Sequence, residues 1–210
     1  MTRFGFYLLL MISLMSAQIC LADTGVPSLY ESEASIAYSG PDVPSLLVVP
    51  DGSGAPFTEA RDAVGDIVDA TITLHLRDFQ GFPIANFPWE DIWLETDAGL
   101  VPCSWGIHPD DNTDVNGMTR WTLPAPAGGH SEGPVFVLVN GSRLTSNDGL
   151  PLRFTSPDIN GDLVVNLADV SLFTYDFYTL NPSRSDFNGD GQLNLADIAH
   201  LAQAFSDQCP

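Results

Sequence analysis

The chain contains no lysine. Seven arginines are set against 27 acidic side chains, a formal charge of -20. A field of that sign repels nucleic acid and anionic lipid and gathers cations, so no nucleic-acid partner is expected. Cysteine is nearly as scarce, three in 210 residues, too few for a disulfide-knit scaffold or a cysteine-rich zinc fold. The four histidines, His75, His108, His130 and His200, are scattered, with none at loop or helical spacing to a second ligand, so no zinc motif forms. Ser104 and Ser142 lack a nucleophile-elbow context. With no constellation of acid, base or nucleophile, the chain is expected not to be an enzyme.

Long apolar runs are missing too, except from Phe4 to Met15 in "MTRFGFYLLLMISLMSAQICLAD". That run is short for a membrane span, follows the basic Arg3 and leads to small residues. It reads as a signal peptide over residues 1–22, cut near Ala22, with an uncleaved anchor or a lipid-modified Cys20 as alternatives. The expectation is an exported bacterial protein, secreted or at the cell surface, with no membrane span after signal removal. Outside the cell disulfides persist. Cys103 and Cys209 either bridge two domains or remain separate thiols, and the count does not decide between these.

What the chain does have is two kinds of periodicity. Residues 23–42 are irregular and read as a leader or an added edge strand. Over residues 43–155 apolar residues alternate: Ala70, Ile72, Leu74 and Leu76 face one way, and Thr71, Thr73, His75 and Arg77 the other. Leu46/Val48, Ile92/Leu94, Thr119/Trp121/Leu123, Val135/Val137/Val139 and Leu152/Phe154 repeat the pattern. Asn116-Gly117, Asn140-Gly141 and Asp148-Gly149 mark turns between them. This predicts an all-β antiparallel sandwich. Over residues 156–210 the period lengthens. Leu167, Val170, Phe173 and Phe177, then Leu195, Ile198, Leu201 and Phe205, each line one helical face. Asp158 to Phe177 and Asp186 to Phe205 share nine identities in twenty at a constant offset of 28, the mark of a duplication.

Each repeat opens with oxygen-bearing residues at alternate positions. Calcium takes six to eight hard oxygen ligands, which a twelve-residue loop supplies from positions 1, 3, 5, 7, 9 and 12. In the first repeat these are Asp158, Asn160, Asp162, the carbonyl of Val164, Asn166 and a two-oxygen grip from Asp169. In the second they are Asp186, Asn188, Asp190, the carbonyl of Gln192, Asn194 and Asp197. Asn166 and Asn194 also stand where helix N-caps belong, with Asp169 and Asp197 three residues on, so loop closure and helix start are one event. Two calcium ions are expected. Asp, Asn and Gly favour turns without any metal, but turn preference does not explain two such segments at a fixed offset, each feeding a helix. "DDNTDVNG", residues 110–117, mimics such a loop but carries Trp121 where the final acid belongs, and Asn116-Gly117 suits a hairpin.

The duplicated "D-x-N-G-D…N-x-x-D", each followed by a helix, resembles the dockerin family over residues 157–206. The resemblance implies two calcium loop-helix units packed antiparallel that dock onto a cohesin-like protein domain, classically in extracellular polysaccharide catabolism. The first loop departs from the family at its sixth position, Leu163, where glycine is usual and where Gly191 stands in the second; a weaker or distorted first site is the expectation. Leu167-Ala168 and Leu195-Ala196 also replace the hydroxyl pairs common in cellulose-degrading systems. Upstream, "DATITLHLRDFQGFPIANFPWEDIWLET" and "TDVNGMTRWTL" resemble bacterial Ig-like domains of the invasin and intimin type, which implies an Ig-like β-sandwich serving as spacer or adhesin.

Trp89, Trp93, Trp105 and Trp121 are either sandwich core or a stacking platform for a glycan. Asn140-Gly141-Ser142 forms a glycosylation sequon. The whole chain thus reads as a secreted, non-catalytic, modular protein: a sandwich, then a calcium-binding module attaching it to a cohesin-like or other extracellular partner. The alternatives are a calcium-stabilised cap with no receptor, or an accessory of polysaccharide breakdown with a glycan-binding sandwich.

Overall fold

The computed structural model describes residues 25–104, 106–146, 148–180 and 183–210. The expected signal peptide, with Cys20, and Trp105 lie outside the described residues. The described strands run β1 (Glu33–Ile36), β2 (Ser45–Leu47), β3 (Ala60–Arg61), β4 (Ile67–Val68), β5 (Ile72–His75) and β6 (Ile92–Thr96). They continue as β7 (Leu100–Pro102), β8 (Met118–Trp121), β9 (Ala127–Gly129), β10 (Val135–Val139), β11 (Ser142–Arg143) and β12 (Arg153–Thr155). Two helices follow, α1 (Leu167–Thr179) and α2 (Leu195–Gln203). The chain is mostly β-sheet with two short C-terminal helices.

The strands form four small sheets, ordered β1-β5-β8, β11-β10-β6, β12-β2-β3-β4 and β7-β9. The alternation explains which faces meet. Ile72 and Leu74 of β5, Ile92 and Leu94 of β6, Val135, Val137 and Val139 of β10, and Leu46, Phe57, Trp121 and Phe154 fill one buried cluster. Thr73 and His75 point away from it and are half-buried. At Asn140-Gly141 both residues have positive φ, 50° and 78°, and Val139 pairs with Ser142. That is the two-residue mirror-image turn whose twist matches its strands.

Two details differ from the sequence reading, and one alternative is decided. The β-rich part is not wholly antiparallel, because β12 runs parallel to β2, with Phe154 opposite Leu46; the two are remote in sequence, so no hairpin sets their direction. Of the two readings of the stretch before residue 43, its described part supplies an added edge strand, since β1 pairs along β5 at the edge of its sheet, Glu33 opposite His75 through Ile36 opposite Ile72. Leu123 is 61% exposed instead of joining Thr119 and Trp121 inside. Its strand stops at Trp121, and the Asp110 carboxylate then accepts the N–H of Thr122 at 3.1 Å and of Leu123 at 3.3 Å, drawing the chain off the sheet.

The helices build a second, smaller core of Ile159, Val165, Phe173, Phe187, Leu201 and Ala204, into which the β-rich part contributes Val49. The expected helical stripes are only partly buried. Phe173 and Leu201 are inside, but Leu167 and Leu195 are 71% and 80% exposed, and Phe177, Ile198 and Phe205 are exposed as well. Asp176, buried on α1, accepts two hydrogen bonds from Arg184 at 2.7 and 2.9 Å and one from Ser185 at 2.6 Å, tying the linker between repeats to the first helix. Cys103 and Cys209 form a disulfide across 106 residues, Cα atoms 5.7 Å apart. No helix among the described residues is long and apolar enough to cross a membrane.

Candidate calcium site

The two repeats fold into near-copies because the same side chains make the same local bonds. In the first, Asp158 is fully buried, and its carboxylate accepts from the N–H of Gly161 at 3.0 Å, Asp162 at 3.2 Å and Leu163 at 2.8 Å. Asp162 Oδ1 accepts from Val164 N at 3.1 Å. Its Oδ2 receives the amide nitrogens of Asn160, 2.9 Å, and Asn166, 3.4 Å. Asn166 Nδ2 also donates to the Val164 carbonyl at 3.0 Å. The second loop repeats this around Asp190, with Asn188 and Asn194 amides at 3.0 and 3.1 Å and Gln192 N at 2.9 Å.

Both helices start on the expected capping box. Asn166 and Asn194 accept from Ala168 and Ala196 N–H, each at 2.8 Å, while Asp169 and Asp197 accept the cap N–H groups at 2.8 and 2.9 Å. The remaining oxygen of each twelfth residue returns to the loop start: Asp169 Oδ1 to Asn160 N at 3.1 Å, and Asp197 Oδ1 to Phe187 N at 2.9 Å. The twelve residues thus lie in two compact loops, in which both oxygens of Asp169 and of Asp197, expected to grip a cation, accept backbone N–H groups instead.

The electrostatics follow from that crowding. Burial pushes the Asp158 carboxyl up to about 6; the Leu163 N–H opposes the rise, and Asp169 and Asp162 add to it by repulsion. Asp186 is raised by burial, and Asp197 and Asp190 push the same way against the Gly191 N–H. Asp197 is raised by burial, against hydrogen bonds from Asn194 and Phe187 N–H, with Asp190 adding repulsion. Asp190 differs: burial raises it, but the Asn188, Gln192 and Asn194 hydrogen bonds together outweigh that and lower it. In the second repeat the first, fifth and twelfth residues thus repel one another, and in the first repeat Asp169 and Asp162 both repel Asp158.

The loops differ in how well they satisfy themselves. Asp186 Oδ2 accepts from Gly191 N at 2.8 Å, while Oδ1 is buried without a well-formed hydrogen bond, and the Gly189 N–H acts on the carboxylate only as its weakest influence. Asp186 also borders a cavity of about 260 Å³ shared with Ser45, Arg153, Thr155 and Gly191, in which none of the other expected second-loop ligands takes part. Asp158, with three N–H donors, has no such unmet oxygen. Leu163 adopts φ 69°, close to the 77° of Gly191, so the first loop is not distorted as expected. It holds the same turn with a residue for which the left-handed conformation is unfavourable.

Among the described residues no group of three or more His, Cys, Asp or Glu side chains is arranged to hold a metal. The loops instead offer mixed sets of carboxylate, amide and main-chain carbonyl. That donor chemistry fits a hard cation of calcium's size rather than zinc.

Both loops lean on the β-rich part through glycines. A Cβ at Gly128 would collide with the Asp158 carboxylate, and Gly129 N donates to the Asp158 carbonyl at 2.7 Å. Gly189 meets Arg61, where an added Cβ would come within 2.8 Å of the Arg61 Cβ, and a Cβ added at Gly65 would come within 3.2 Å of the Asp190 Cβ. None of these contacts has a sequence signal, because each joins residues far apart in the chain. At residues 110–117, Asp114 accepts from Asn116 and Met118 N–H, as a turn residue does. Trp121 is buried and donates to the Ile107 carbonyl at 3.1 Å. Trp89 and Trp93 each pack T-shaped against His108, ring centres at 5.1 and 6.5 Å.

No family model matches the chain. No curated protein matches it either. Among solved structures, the crystal structure of the Lin-41 filamin domain aligns with 60% of this chain and 96% of its own length, at 14% identity and a TM-score of 0.30. A likeness that distant carries no argument about this chain.

Proposed function

We propose that this is an exported, non-catalytic protein in which an Ig-like β-sandwich carries a dockerin-like tail that binds two calcium ions and attaches the molecule to a cohesin-like or other extracellular partner. The observation that carries the calcium reading is the Asp186 carboxylate, buried against repulsion from Asp197 and Asp190 with its Oδ1 making no well-formed hydrogen bond. A bound calcium ion would supply the positive charge this cluster lacks. Asp158, Asn160, Asp162, the Val164 carbonyl, Asn166 and Asp169 would hold one ion, and Asp186, Asn188, Asp190, the Gln192 carbonyl, Asn194 and Asp197 the other. The chain's own part is to close each loop on its capping box, so that ligand set and helix form together. The partner reading is supported by Leu167, Leu195, Tyr178 and Leu180, which are 71% to 85% exposed on the tail.

A second reading has its own support. The glycine contacts of both loops and the Cys103–Cys209 bond support reading the tail as a cap on the sandwich, and a cap needs no receptor. Capture of the full chain from the secreted fraction of its source organism, with and without chelator, separates the two. A partner retained only with calcium supports attachment; an identical, empty capture in both conditions leaves the cap.

A further inference from the structure

The first loop holds a leucine where the turn needs a left-handed residue, and something must offset that cost. The C-terminal segment lies against this same stretch. Cys209 N donates to the Leu163 carbonyl at 3.3 Å, Val165 N to the Asp207 carbonyl at 2.9 Å, and Ser206 N to the Val165 carbonyl at 2.9 Å. Val164 and Gln208 form a bridge between them. Cys209 is then bonded to Cys103, whose N–H donates to the Pro126 carbonyl at 3.0 Å next to β9. From β9, Gly129 donates to the Asp158 carbonyl on the loop's other side. The first loop is therefore framed on two sides, and the disulfide ties the frame together. Among the described residues no backbone segment makes such a pairing with Gly191, Gln192 or Leu193 of the second loop, and there the sixth residue is a glycine.

We infer that Cys103–Cys209 and the segment 206–209 are positioning elements for the first calcium loop, holding Leu163 in the conformation that Gly191 adopts unaided. The inference rests on the calcium reading of both loops. Its consequence is selective: cutting the tie weakens the first site and spares the second. A glycine at position 163 makes the tie dispensable.

The test is calcium titration by calorimetry of the full chain in four forms: native, Leu163→Gly, C103S/C209S, and C103S/C209S with Leu163→Gly. A D158N variant identifies which heat belongs to the first loop. The expected result is about a tenfold loss at the first site in the double serine form, the order of a left-handed leucine's penalty. The second site should stay within about twofold, with most of the loss recovered by Leu163→Gly. Equal weakening of both sites, no weakening, or no recovery overturns the inference. Should the serine form fail to fold, amide exchange in the oxidised, calcium-free native chain decides: Val165 must exchange more slowly than its counterpart Leu193, and equal rates overturn the inference. If the native chain takes up no calcium at all, the calcium reading fails instead, a result distinct from two sites indifferent to the disulfide.

Discussion

Gly128 of β9 and Asp158 of the first loop are packed so closely that a single added methyl at position 128 would occupy the space of the carboxylate. The β-rich part and the C-terminal repeats are thus fitted together at a proposed calcium ligand, not merely linked. Exchanging Gly128 for alanine should displace Asp158, lower calcium affinity at the first site by tenfold or more, and leave the second site unchanged. Titration of the variant beside the native chain checks this; an unaltered first site would mean the contact relaxes freely.

The second loop should fail differently. D186N removes the charge whose Oδ1 makes no well-formed hydrogen bond, so it should abolish the tighter site yet stabilise the calcium-free tail, because a buried like-charge repulsion is relieved. Thermal melts in chelator and in calcium should shift in opposite directions, up in the first and down in the second.

Without calcium, acid should strengthen the fold. The Asp158 carboxyl sits at about 6 in the folded chain against a reference of 3.8. Between those values the folded state holds more protons than the unfolded one, and stability therefore falls as pH rises through the window. Melting in chelator should occur at a higher temperature at pH 5 than at pH 7.5, with the difference reduced in D158N. His130 works the other way, its pKa lowered by burial and then by Arg184, which is why the D158N comparison is needed. With calcium present the order reverses, since the ligands must be deprotonated to bind.

Asp176 is 1% exposed and holds Arg184 through two hydrogen bonds. Its replacement by alanine strands a guanidinium and should cost about 3 kcal/mol in denaturant unfolding. A loss under about 1 kcal/mol would show that Arg184 finds solvent instead.

Much of this molecule was legible in its sequence, and the limits are physical. Alternation in Ile72, Leu74 and Leu76 announced β5 because one face of a strand is buried and the other is not. The repeated Asp and Asn spacing announced both loops and both caps because the side-chain bonds of those residues are local. The parallel pairing of β12 with β2, the turn of Leu123 toward solvent and the seating of Gly128 and Gly189 on the loops depend on residues distant in sequence. The Cys103–Cys209 pairing belongs with them, since cysteine count cannot state that two segments meet. Leu163 sits between these cases: its side chain argued for a distorted loop, while the C-terminal segment, unseen in a local window, accompanies an undistorted one.

The central claim is that the tail's clustered carboxylates are built to hold calcium. Calorimetric titration of calcium into the chelator-stripped full chain tests it most directly. Two sites of unequal strength, the tighter one lost in D186N, are predicted. No heat of binding, with both helices equally stable in chelator and in calcium, would contradict the account.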